Sequence, residues 1–187
     1  PEMKSYSQHT NVLAVLSGIA EVRNQNQLMQ QVLNDESLIQ CSLFYKFYLM
    51  RALAKLDMGR HYFDQLKIWE EMLNLGLSTF PETAGKSNWQ SDIRSDCHAW
   101  SASVCYDFLS IICGINPSSA GFKTISIAPA PGVLSRLKGE MPHPNGSISV
   151  DLTITGTNIV GSISLPKNTK GIFYWHEKTL QLTEGSQ

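Results

Sequence analysis

The apolar positions of this 187-residue chain keep one period up to about residue 116 and a different one after about residue 121. In the first part they recur every three to four residues, the spacing of one helix face, between short turns that carry Gly, Asn or Asp. Five helices are predicted there. The first covers residues 7–17, turns Val12, Val15, Leu16 and Ile19 inward and stops at Gly18; the second covers residues 23–34 with Leu28, Met29, Val32 and Leu33. The third, residues 42–56, presents Leu43, Phe47, Met50 and Ala54, and the fourth, residues 61–75, aligns Tyr62, Leu66, Trp69 and Leu73 before Gly76. The fifth opens near Asp96, puts Trp100, Val104 and Phe108 on one side and runs through Ile111 and Ile112 to Gly114, with Pro117 beyond. Its apolar girth predicts near-complete burial.

After Gly121 apolar and polar residues alternate, and strands are predicted over residues 124–128, 147–155, 158–164, 171–175 and 179–182. Gly156-Thr157 and Pro144-Asn-Gly146 are hairpin turns, while Pro129-Ala-Pro131 is a stiff connector. The fold class is therefore α+β with two domains: helices over residues 1–120 and a small antiparallel β-sandwich over residues 121–187. So few strand residues make a thin core, so the sandwich is expected to lean on the helices for stability.

Composition narrows the function. Apolar residues form 42% of the chain and charged ones 17%, enough for a sizeable core and too few charges for disorder. The net charge of −1 arises from interspersed signs without a basic stripe, which argues against nucleic acid or an anionic membrane as a partner. A neutral substrate fits better. No apolar run is long enough to span a bilayer. The chain starts with Pro1, so its natural N-terminus is expected upstream, and the compartment stays open. Cys41, Cys97, Cys105 and Cys113 lie mostly in apolar helical pattern and are expected to be free thiols. Cys97 and His98 lack the paired spacing of a zinc site, so no metal or other cofactor is predicted.

The candidate chemistry lies in Ser78-Thr-Phe-Pro-Glu82 and Ser95-Asp-Cys-His-Ala-Trp-Ser101, which set a carboxylate past one helix and an imidazole at the start of the next. Taken alone, Glu82 is an ordinary solvated loop glutamate and His98 a capping or core histidine. Trp69 has helical spacing with Leu66 and Leu73 and belongs to the core. Asp92 and Asp96 could orient His98 or cap a helix, and His9, His61, His143 and His176 have no partner pattern.

Read in order, Ser7-Gln-His-Thr10, Ile68-Trp-Glu-Glu-Met72, Thr79-Phe-Pro-Glu82, Ser95-Asp-Cys-His-Ala-Trp100 and Gly121-Phe-Lys-Thr-Ile-Ser-Ile-Ala-Pro129 resemble the C-terminal part of bacterial α-L-rhamnosidases of glycoside hydrolase family 78. The resemblance spans nearly the whole chain. It implies that residues 1–120 are the C-terminal portion of an (α/α)6-barrel catalytic domain and residues 121–187 the β-sandwich that follows it. The implied reaction is hydrolysis of terminal α-L-rhamnose with inversion, on a rhamnose-containing glycoside. By match to the family motif Glu82 is the general base, and His98 contacts the sugar. Trp100 and Trp89 are candidates for stacking on the sugar ring. The family's general acid belongs to barrel loops that precede Pro1, so the chain is expected to be inactive alone. It is expected to pack against the remainder of the barrel, or to self-associate when isolated. The alternatives are another inverting (α/α)6-barrel glycosidase and a non-catalytic carbohydrate-binding or structural module.

Overall fold

Ser7 has extended backbone, and the chain turns directly into helix α1, Gln8–Ser17, which Gly18 ends in the left-handed conformation at φ 79°. The computed structural model describes residues 6–83 and 95–186. A 3-10 turn, Val22–Asn24, leads into α2, Gln25–Asn34. Helix α3, Leu43–Lys55, starts at Ser42, whose hydroxyl accepts from the Tyr45 backbone N–H. Where one long fourth helix was predicted, two stand: α4, Gly59–Gln65, and α5, Lys67–Asn74. The Leu66 N–H reaches back three residues to the Phe63 carbonyl, which tightens the backbone there and interrupts the regular ladder.

The predicted fifth helix begins later and is not uniform. A 3-10 turn, Ala99–Ala102, passes into α6, Ser103–Asp107, and then into a π-helical turn, Phe108–Ile112. Because the number of residues per turn changes twice, the stripe of Trp100, Val104 and Phe108 does not stay aligned. Val104 is buried, whereas Trp100 is 61% and Phe108 46% exposed. The expected near-complete burial therefore does not hold. Ile19 and Leu73 are likewise exposed, the first because it lies beyond the Gly18 stop.

The chain divides into two compact units, the first ending at Val104 and the second starting at Cys105. The first unit is built on Val12, Val15, Met29, Leu49, Met50, Leu53 and Tyr62, all essentially inaccessible to solvent. Gln8 ties its opening helices together. Its side-chain amide donates to the Val32 carbonyl (3.1 Å) and to Gln40 Oε1 (2.8 Å), and its Oε1 accepts from the Cys41 N–H (2.9 Å). Lys55 Nζ donates to the Val15 carbonyl at 2.7 Å and so satisfies the end of α1.

The second unit contains strands β1 (Ile115–Pro117), β2 (Thr124–Ile127), β3 (Arg136–His143), β4 (Gly146–Thr155), β5 (Asn158–Leu165), β6 (Lys170–Trp175), β7 (Lys178–Leu182) and β8 (Gly185–Ser186). They form two four-stranded sheets, β1-β2-β6-β7 and β3-β4-β5-β8. All pairings are antiparallel except β2 with β6, which run parallel because the chain visits the other sheet between them. Alternate residues are buried on the long strands, among them Ile148, Val150 and Leu152 of β4, which fixes the register by period two. The units divide upstream of the period change near residue 120 because the π-helical turn already packs on β1 and β3 and β1 pairs with β2. Among the described residues no helix is long and apolar enough to cross a membrane, and no metal-ligand cluster is found.

Candidate active site

Gly76 ends α5 in the left-handed region at φ 74°, and the chain leaves the helix toward Thr79-Phe-Pro-Glu82. This segment runs beside the one that carries His98. The Thr79 hydroxyl donates to the Asp96 carbonyl (2.6 Å), the His98 N–H donates to the Phe80 carbonyl (2.6 Å), and the Glu82 N–H donates to the Ser95 carbonyl (3.0 Å). Three hydrogen bonds thus clamp the two segments. Pro81 between them is buried and fixes its own φ, so Glu82 leaves on a restricted path.

The His98 turn rests on α5. Trp69 is buried and its indole N–H donates to the Ser101 carbonyl at 2.8 Å. Ser101, itself fully buried, returns its hydroxyl and its backbone N–H to the His98 carbonyl at 2.7 and 3.1 Å. The expected core role of Trp69 is realised, and the residue also fixes the turn that bears the imidazole. Glu82 and His98 are both half-buried, accessible enough to meet a solute yet anchored through their backbones.

Of the residues expected at the site, Glu82, His98 and Trp100 stand on these joined segments; Trp89 and Asp92 lie outside the described residues. The His98 and Trp100 rings meet edge to face, with centroids 5.4 Å apart. Trp100 then leans on Phe44 of α3 at 4.7 Å, and Phe44 makes an edge contact with Tyr48 at 5.9 Å. Tyr45 joins Tyr48 at 5.0 Å and His9 at 4.0 Å. This band of half-exposed rings was not anticipated: Phe44, Tyr45 and Tyr48 lie off the Leu43–Met50 stripe taken as the apolar face. The signal was the density of aromatics in Phe44-Tyr-Lys-Phe-Tyr48, with Phe44 and Tyr48 four residues apart on one helix face.

Cys41 and Lys46, which interact electrostatically, are both perturbed. Burial pushes the Cys41 thiol up to about 11, opposed by the nearby Lys46 charge. Burial also lowers Lys46, whose Nζ donates to Gln65 Oε1 at 2.7 Å. Cys41 and Cys113 are buried and Cys97 and Cys105 exposed, and all four are free thiols as expected.

Residues 114–186 match the sequence family described as the bacterial alpha-L-rhamnosidase C-terminal domain. No curated protein matches the chain. Among solved structures, the family 78 rhamnosidase of Bacillus sp. GL1 is 26% identical, with a TM-score of 0.80 over 93% of this chain and 19% of its own. The α-L-rhamnosidase of Aspergillus terreus is 15% identical, with a TM-score of 0.81 over 97% of this chain and 23% of its own. That of Streptomyces avermitilis, solved with L-rhamnose, is 17% identical, with a TM-score of 0.77 over 96% of this chain and 21% of its own. The chain thus spans about a fifth of the length of the solved structures it matches. Residues 114–186 are thus similar in sequence to the bacterial α-L-rhamnosidase C-terminal domain, and nearly the whole chain is similar in fold to part of the solved α-L-rhamnosidases.

Proposed function

We propose that this chain is part of an inverting α-L-rhamnosidase in which Glu82 is the general base and the general acid lies in the remainder of the polypeptide. The observation that carries the reading is the clamp between the Glu82 and His98 segments, in a chain built like the C-terminal part of rhamnosidases. Inversion needs two carboxyl groups about 6.5–9.5 Å apart, with a water between one of them and the anomeric carbon. The Glu82 carboxylate takes a proton from that water as its oxygen bonds to C1. The acid on the opposite face gives its proton to the departing glycosidic oxygen.

His98 serves as the sugar contact, since a neutral imidazole donates to one hydroxyl and accepts from another. Trp100, largely exposed beside it, offers a ring to the apolar face of the sugar, and Trp89 is proposed for the same task. The helices of the first unit complete an (α/α)6 barrel with the remainder of the protein. The exposed Leu13, Val22, Ile39 and Leu73 support this, because they form apolar surface that a partner segment would cover. The test is the stereochemistry of hydrolysis by the full-length protein. An aryl α-L-rhamnoside is followed by proton NMR from the first turnovers. β-L-rhamnose as the initial product is the expected result; α-L-rhamnose first would overturn the inverting mechanism, and no turnover would turn the reading toward another sugar or a binding module.

A further inference from the structure

The sheets of the second unit end in two hairpin turns that come together around Trp175. One turn, Gly156-Thr157, joins β4 to β5; the other, His176-Glu177, joins β6 to β7. Between them lies an open groove of about 430 Å3 lined by Thr157, Asn158, Trp175, His176, Glu177 and Lys178. That volume falls within the range of about 300–1,000 Å3 typical of small-ligand sites.

Trp175 shares its strand face with the buried Phe173, two residues back, so its ring continues the apolar interior to the end of the unit. A plug for that interior would need only apolar area. Here the half-exposed ring is bordered instead by an amide, an imidazole, a carboxylate and an ammonium group, all on exposed residues. The indole N–H donates to the Thr157 carbonyl at 2.7 Å, which locks the orientation of the ring and satisfies its one polar atom. The His176 ring meets the indole in an edge-type contact, at 67° with centroids 4.7 Å apart, and lines the groove beside it. His176 also holds φ 52°, a left-handed conformation that Gly, Asn or Asp would adopt at lower cost.

We infer that this groove binds a pyranose residue of a glycan chain, with its C–H face on the Trp175 indole and its hydroxyls paired with Asn158, Glu177 and Lys178. A flat ring with one apolar face and a rim of donors and acceptors matches a fixed indole surrounded by both kinds of partner. The open form of the groove suits an internal residue of a polymer, whose neighbours must pass out on either side. This inference is independent of the role given to Glu82.

The test is native affinity electrophoresis of the full-length protein through gels containing an α-L-rhamnose-rich polysaccharide, with a glucose polymer as comparison. Trp175→Ala and Asn158→Ala are each expected to weaken retardation by roughly tenfold or more in apparent affinity, the loss of one well-packed binding anchor. Hydrolysis of a small aryl α-L-rhamnoside should stay unchanged in both variants. Asn158→Ala leaves the Trp175 hydrogen bond to the Thr157 backbone in place, so it guards against misfolding as the cause. Retardation by the glucose polymer alone, with loss in both variants, would keep the site and assign it to that sugar. Equal retardation of parent and both variants, or none of the parent, would overturn the inference.

Discussion

Individual residues hold this fold through satisfied polar groups as much as through apolar area. Gln8 shows the principle, since one buried amide answers the Val32 carbonyl, the Gln40 side chain and the Cys41 N–H. Truncating it would leave the buried Val32 carbonyl and Cys41 N–H unmet, at about 1–3 kcal/mol for each. Cys41 beside it makes a prediction about pH. Its thiol is raised from 9.0 to about 11, so within that window the native chain keeps a proton that the unfolded chain releases. The stability it contributes is complete below about pH 9 and disappears as the pH rises to about 11. Replacing Cys41 by Ala should therefore flatten part of the alkaline fall in unfolding free energy, measured by urea titration across that window. An unchanged alkaline limb would refute it. In the same protein, Cys97 and Cys105 should react with a thiol reagent in the native state while Cys41 and Cys113 wait for unfolding.

At the scale of elements, two glycines with similar backbones should behave differently. Gly18 ends α1 at φ 79° with no atom near the position of a Cβ, whereas Gly114, at φ 72°, would drive a Cβ to 2.1 Å from the Ala128 carbonyl carbon. Gly18→Ala should cost about 1 kcal/mol from backbone strain alone. Gly114→Ala adds a clash with backbone that cannot step aside, because Ala128 N–H is bonded to the Gly114 carbonyl at 3.0 Å. It should cost at least about 2 kcal/mol, read from chemical denaturation, and similar losses for the two variants would contradict the close approach. These stops were legible in the sequence, as were α1, α3 and most strands, because glycine and a clean period act locally. Strand β3 was missed: its Leu137 and Met141 alternate with charge, but Gly139 and Pro142 mask the pattern, and Pro142 is tolerated because β3 is an edge strand. The break at Leu66 and the π turn at Phe108 were invisible for another reason. Both are shifts of hydrogen-bond register inside apolar runs that read as one helix.

At the scale of the molecule, Glu82 and His98 are singled out by ordered motifs and their catalytic roles are proposals, while nothing in their spacing reveals the clamp between their segments. The support from Trp69 through Ser101 was also hidden, because a buried tryptophan reads as core whether or not its indole N–H holds a turn. The aromatic band from His98 to Tyr45 depends on α3 coming beside Ala99–Ala102, a tertiary fact. The chain spans about a fifth of the solved rhamnosidases it matches, and Glu82 is proposed as the base that it brings to the whole protein. The most direct measurement is steady-state hydrolysis of an aryl α-L-rhamnoside by the full-length protein and its Glu82→Gln variant. A fall in kcat on the order of a hundredfold or more with KM nearly unchanged is expected for a group that acts in the transition state. Full activity in a folded Glu82→Gln protein would contradict it.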